Sequence, residues 1–195
     1  MPSTETELGA LVTHESTLIR VAWDAIEQGL EGGDPLEPEA ERFSAPLREP
    51  RASFVTLHRR GQLRGCVGSI TPQRPLVVDV AGNAYRAAFE DPRFQPLEPD
   101  ELPELMLEIS VLSPLARLDV HSDEELLARL RPGIDGLVLR DGGRSGTFLP
   151  SVWKSLPEPS AFLRELRRKA GLAPEGWPET LEVYCYTVET FPAQA

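Results

Sequence analysis

Cysteine and histidine are scarce in this chain: its 195 residues hold two cysteines, Cys66 and Cys185, and three histidines, His14, His58 and His121. Two cysteines cannot build a disulfide scaffold, so a reducing cytoplasm is the expected compartment. No CxxC, HExxH or HxH spacing occurs, so no metal site is expected. Positive charge is also short: 20 Lys and Arg against 31 Asp and Glu leave −11, with a pI near 4.8. Phosphate-backbone binding rests on clustered cations, which argues against nucleic acid as a general partner. No apolar run approaches the roughly 20 residues that span a bilayer. Met1 to Glu7 are polar and acidic, not a basic leader followed by an apolar stretch, so neither membrane nor secretion is expected. A GxGxxG after a strand, a P-loop lysine motif and a GxSxG elbow are all missing, and no cofactor is indicated.

What is present suits a folded domain of ordinary size. Hydrophobic residues make up 41% and charged residues 26%, enough for a buried core. From Glu5 to Glu31, Leu8, Leu11, Val12, Ile19, Ala22, Ile26 and Leu30 recur at helical spacing, with a Thr4/Glu7 capping box before them and Gly32-Gly33 as a stop. Asp34 to Pro50 carries four prolines and five acids and reads as an irregular connector. Arg51–Arg59 and Gln62–Ile70 read as two strands joined by the tight turn Arg60-Gly61. Pro75–Glu90 is helical, blocked by Pro92, and Leu105–Leu112 alternates as a strand.

A short helix follows at 122–130, started by Ser122 with Glu125. A hairpin is expected at 136–140 and 146–149, then a helix at 160–170 ending on Gly171. A last strand covers Leu181–Phe191. Helices interspersed with hairpins, without a βαβ rhythm, predict an α+β fold with mainly antiparallel sheet. No fixed repeat is visible, although 51–90 and 136–170 share the order hairpin then helix.

The unusual stretch is Leu63-Arg64-Gly65-Cys66-Val67-Gly68-Ser69-Ile70. Strand interiors avoid glycine, so Gly65 and Gly68 signal a bulge or the close approach of another backbone or a ligand. In a regular strand Arg64 and Cys66 share a face. A guanidinium beside a thiol favours the thiolate, which makes Cys66 a candidate nucleophile with Arg64 as its support. The alternative is a small buried hydrophobe with the arginine turned away. With the turn at Arg60-Gly61, regular pairing sets Val55 opposite Cys66 and puts His58 on the other face, which argues against a Cys66/His58 dyad.

Asp91-Pro92-Arg93-Phe94 leaves the helix with an acid and a base two residues apart, either an anion clamp at Arg93 oriented by Asp91 or an internal ion pair. Trp153 follows a strand as pocket wall or core plug. Packing of the 75–90 helix back along the hairpin, with alanines beside the glycines, is expected to bring the Asp91–Phe94 turn to Cys66.

Taken together, LRGCVGSI at 63–70, AYRAAFEDPRF at 84–94, LEISVL at 107–112, GLVL at 136–139, GTFLPSVW at 146–153 and FLRELRRKAGL at 162–172 resemble the AMMECR domain, the family also called AmmeMemoRadiSam system protein A. The likeness covers about residues 8–190 as one domain of two lobes, leaving 1–7 and 191–195 as tails. Val67, Ser69 and Arg60 depart from its commonest residues. The resemblance implies a larger lobe built from both chain ends and a smaller inserted lobe, with the LRGC segment at a cleft between them. It further implies association with a radical SAM enzyme and a Memo-type protein. In one reading the chain is an enzyme or enzyme subunit acting on a small molecule or modified peptide, with Cys66 as thiol, Arg64 as support and Arg93, Asp91, Gly65, Gly68 and Trp153 as binding residues. In the other it is a non-catalytic adaptor that docks a partner through the LRGC surface.

Overall fold

The structure, a computed structural model, describes residues 11–194. The chain divides into two units, Met1–Leu112 with Glu189–Ala195, and Ser113–Val188. The larger unit is thus made of both chain ends and the smaller is inserted, as expected.

In the larger unit, a 3₁₀ turn at Val12–His14 leads into helix α1, Glu15–Leu30. The helix is shorter than the sequence suggests, and the Thr4/Glu7 cap and Leu8 fall outside the described residues. Its buried stripe is Leu18, Val21, Ala22, Ala25 and Ile26, which keeps Ala22 and Ile26 from the sequence reading but leaves Val12 exposed. A one-turn helix α2, Ala45–Arg48, interrupts the proline-rich connector and buries Leu47.

Strands β1, Ser53–Arg59, and β2, Gln62–Gly68, form the expected hairpin. Arg60 and Gly61 have φ of 53° and 75°, the paired positive values of a tight hairpin turn. Helix α3, Leu76–Phe89, and strand β3, Leu105–Leu112, follow. The sheet order is β2-β1-β3, with β8, Val188–Gln194, beside β3. Alternation sends Val55, Leu57, Leu107, Ile109 and Val111 into the core that α1 and α3 complete. It leaves Thr56, His58, Met106 and Glu108 on the opposite face.

The hairpin register departs from the regular one. Arg59 pairs with Gln62 and His58 with Leu63 as predicted, but Leu57 then pairs with Gly65 and Thr56 with Cys66. Arg64 is an extra residue on β2, a β-bulge. One extra residue flips everything beyond it to the other face. Cys66 therefore lies on the face of Thr56 and His58, which corrects the expectation that His58 points away from it.

The smaller unit has the sheet order β4-β7-β5-β6, from Ala116–Leu118, Glu182–Tyr186, Gly136–Asp141 and Arg144–Phe148. Helix α4, Asp123–Arg129, starts as predicted, with Ser122 Oγ accepting the Glu125 N–H at 3.1 Å. Helix α5, Pro159–Ala170, ends on Gly171 at φ 72°. The final strand predicted over 181–191 is two strands in two sheets. The break falls at Thr187, whose N–H donates to Ser113 Oγ at 3.0 Å and whose carbonyl accepts the Ser113 N–H at 2.9 Å. Past it, β8 buries Phe191 and runs to Gln194.

Candidate functional site

β2 is the edge strand of its sheet, so it carries main-chain groups with no neighbouring strand to bond. At Cys66 the turn after α3 supplies the partners. The Cys66 N–H donates to Asp91 Oδ2 at 2.9 Å, and the Cys66 carbonyl accepts from Arg93 Nη2 at 3.2 Å. Arg93 Nη2 also donates to Asp91 Oδ2 at 2.6 Å, and Arg93 Nε and N–H to Asp91 Oδ1 at 2.9 and 3.1 Å. Arg93 thus makes the internal ion pair and contacts Cys66 at once. The Asp91 carboxylate is 4% exposed. The Arg93 guanidinium first, then the Cys66 and Arg93 N–H groups, hold it well below the usual carboxylate range against the opposing effect of burial.

The glycines explain how the turn gets so close. A Cβ on Gly65 would lie 2.0 Å from the Ala87 carbonyl oxygen of α3, so only glycine lets that helix pack on the strand. A Cβ on Gly68 would lie 2.4 Å from both the Phe54 ring and the Ser53 carbonyl. The close approach anticipated from the sequence is made by the protein's own helix and neighbouring strand.

Arg64 uses its bulge position differently from expectation. Its Nε and Nη2 donate to the two oxygens of Glu101, each at 2.8 Å, a bidentate pair. Glu101 also accepts from Arg59 Nη1 at 2.9 Å and from the Glu98 N–H at 3.0 Å. These donors, Arg64 first, bring the Glu101 carboxyl down to about 2. Arg59 and Arg60 bind Glu104 beyond it. Phe94 lies between the two cations, with its ring centroid 5.9 Å from Arg64 and 5.5 Å from Arg93. The guanidinium bonded to Cys66 is therefore that of Arg93, while Arg64 is spent on Glu101. The Cys66 sulfur accepts from Thr56 Oγ1 at 3.3 Å.

Beneath this region Ser53, Asp79 and Asn83 form a buried polar cluster. Ser53 N–H and Oγ donate to Asp79 Oδ2 at 3.0 and 2.7 Å, and Asn83 Nδ2 donates to the Ser53 carbonyl at 3.0 Å. The cluster ties α3 to the start of β1. Sequence reasoning missed it, although Asp79 and Asn83 one helical turn apart on an apolar face are a readable signal. It also missed Glu101, whose spacing from Glu98 makes a capping box. Thr56 carried no signal at all.

The smaller unit holds the remaining candidates. Trp153 is 4% exposed, donates from Nε1 to the Asp135 carbonyl at 2.7 Å, and stacks on Phe162 at 3.8 Å, the geometry of a core plug. Cys185 is half-buried, and that burial pushes its thiol up. Both cysteines are free thiols. Among the described residues no group of three or more His, Cys, Asp or Glu could hold a metal ion. No described helix is long and apolar enough to cross a membrane.

Known proteins share this arrangement of segments. A curated archaeal protein from Methanothermobacter thermautotrophicus is 37% identical over 182 residues, covering 90% of this chain and 92% of its own. One from Thermococcus gammatolerans is 39% identical over 186 residues, covering 89% and 87%. The crystal structure of the uncharacterised protein PH0010 from Pyrococcus horikoshii matches with a TM-score of 0.78 at 36% identity, covering 89% of this chain and 88% of that one. The AMMECR1 family model matches residues 19–191, a span that includes the bulged LRGC strand, the turn that clamps it and both sheets except the last residues of β8; the chain belongs to the AMMECR1 family.

Proposed function

We propose that this protein is the thiol-bearing component of a modification system, working with a radical SAM enzyme and a Memo-type protein on a small molecule or modified peptide. Cys66 is its reactive group. The observation that carries the reading is the clamp on Cys66: both main-chain groups are fixed by Asp91 and Arg93, and the sulfur accepts a hydroxyl hydrogen bond from Thr56. A thiol on so fixed a backbone is held in one orientation, which is what positioned nucleophiles need. Arg93, half exposed beside it, supplies positive charge near any negative charge that develops on sulfur. Arg64 and Gly65 support the strand from behind.

The test is a covalent adduct. The protein is incubated with the purified radical SAM and Memo-type proteins, S-adenosylmethionine and reductant, and the Cys66 peptide is examined by mass spectrometry. The reading expects a mass increase on Cys66 that Cys66→Ser abolishes. Turnover that proceeds unchanged in Cys66→Ser contradicts it.

A second reading, an adaptor that docks a protein partner through the LRGC surface, is favoured by one specific observation. Arg64 and Arg93 are both paired internally, and Leu63 on the same edge strand is 41% exposed. In that case Cys66→Ser leaves turnover intact and Leu63→Glu removes binding.

A further inference from the structure

The bulge at Arg64 decides what surrounds the Cys66 side chain. Cys66 pairs with Thr56, and Thr56 pairs on its other side with Glu108 of β3. Cys66, Thr56 and Glu108 therefore form one row across three adjacent strands, all on the sheet face away from α1 and α3. The Thr56 to Cys66 hydrogen bond confirms that the first two share that face. Two residues along the central strand, His58 is on the same face, a diagonal neighbour of both Cys66 and Glu108. Diagonal positions in an antiparallel sheet are about 7–8 Å apart, within reach of rings and long side chains. His58, Cys66 and Glu108 are all partly exposed. Among the described residues the imidazole has no hydrogen-bond partner, so its nitrogens are available for proton transfer.

We propose that His58 is the proton acceptor for Cys66 and that Glu108, on the same sheet face, stabilises the charged form of the imidazole. This rests on the reading of Cys66 as the reactive thiol. The three residue types are those of a nucleophile, its base and a carboxylate that offsets the base's charge, laid out with the base on the central strand. The Cys66 Sγ–H proton passes to a ring nitrogen of His58. The sulfur electron pair forms a bond to an electrophilic carbon, and the leaving group departs with its bonding pair and takes up the proton from the imidazolium. Leu63 and Met106 flank His58 in its own row, 41% and 43% exposed, so the electrophile that suits this face has an apolar body. Of the other charges close to the row, Asp91 is paired with Arg93 from the turn after α3, and Arg64 shares Glu101 with Arg59 at the bulge. Arg59 and Arg60, beyond His58, are held by Glu101 and Glu104. Glu108 is thus the carboxylate left to act on the imidazole.

The experiment is the rate of Cys66 alkylation by iodoacetamide as a function of pH, read by peptide mass spectrometry with Cys185 as internal reference. The wild type is compared with His58→Phe, His58→Gln and Glu108→Gln, each checked for folding by its denaturation midpoint. His58→Gln covers the case in which His58→Phe does not fold. The wild-type rate should hold a plateau through about pH 6.5, where a thiol without a base is mostly protonated. Both His58 variants should lose that plateau, falling at least about tenfold near pH 6.5 and converging with wild type at high pH. Glu108→Gln should narrow the plateau from its alkaline side, because an imidazolium without its carboxylate loses its proton more readily. Superimposable profiles for wild type and the folded His58 variants, with Cys66 still outpacing Cys185, would overturn this inference and leave the reactive thiol standing. A wild-type Cys66 no faster than Cys185 removes the thiol reading and this one with it.

Discussion

The Asp91 carboxylate accepts the main-chain N–H of Cys66 at 2.9 Å, while Arg93, ion-paired to that same carboxylate, donates to the Cys66 carbonyl. Two sequence motifs separated by a helix are therefore one structural unit, and the free edge of β2 is closed where its cysteine lies.

Removing the carboxylate leaves a main-chain donor unpaired and a guanidinium without its counter-charge. Asp91→Ala should cost about 3 kcal/mol by urea denaturation, within the range for breaking a buried charged hydrogen bond. Asp91→Asn should cost less, since an amide oxygen still accepts the Cys66 N–H. A loss under about 0.5 kcal/mol for the alanine variant, the level of an ordinary surface change, would contradict the clamp.

Gly65→Ala places a methyl 2.0 Å from the Ala87 carbonyl oxygen, and backbone must move to admit it. The expected penalty is about 1–3 kcal/mol, typical of overpacking. Gly143→Ala is the control, with nothing within 4 Å of the added carbon, and should stay within about 0.5 kcal/mol of wild type. Equal midpoints for the two variants would show that α3 does not press on β2.

Much of this was legible in the chain. Arg60-Gly61 announced the turn, and Ala84, Ala87 and Ala88 beside Gly65 announced a close helix–strand contact that brings the Asp91–Phe94 turn to Cys66. Gly65 and Gly68 signalled a bulge as one of two readings, but nothing local marks Arg64 as the extra residue. Its Nε and Nη2 are paired with Glu101, 37 positions away. The face of Cys66 depended on that one residue, so a sound local register at His58 led to the wrong partner and the wrong face for Cys66. The last strand was read as continuous because Val188 and Thr187 suit strands equally well, and only the pairing of Thr187 with Ser113 reveals the change of sheet.

Acid should weaken the larger unit in a defined window. Glu101 titrates at about 2 in the folded chain against an ordinary 4.5, and Asp91 is shifted the same way. A depressed folded pKa means that stabilisation is complete above the unfolded value and is lost as pH falls through the folded one. Denaturation midpoints should therefore drop between about pH 4.5 and pH 2. The slope should be shallower in Glu101→Gln, which also lowers stability at pH 7 by leaving Arg64 without its bidentate partner. Parallel pH curves for the two proteins would remove Glu101 as the source.

Trp153→Ala should cost about 3–5 kcal/mol, as expected for emptying an aromatic core position, because its ring stacks on Phe162 and its N–H is bonded to Asp135. A near-neutral effect on unfolding would return Trp153 to the role of a pocket wall.

The central claim is that the two thiols are unequal because their settings are: Cys66 is fixed on a clamped edge strand with Arg93 and Thr56 beside it, and Cys185 is raised by burial. The direct measurement is competitive labelling of the folded protein with limiting iodoacetamide at pH 7.5, followed by peptide mass spectrometry. The account predicts Cys66 labelled at least about tenfold faster than Cys185. Cys185 labelled as fast as Cys66, or faster, would contradict it.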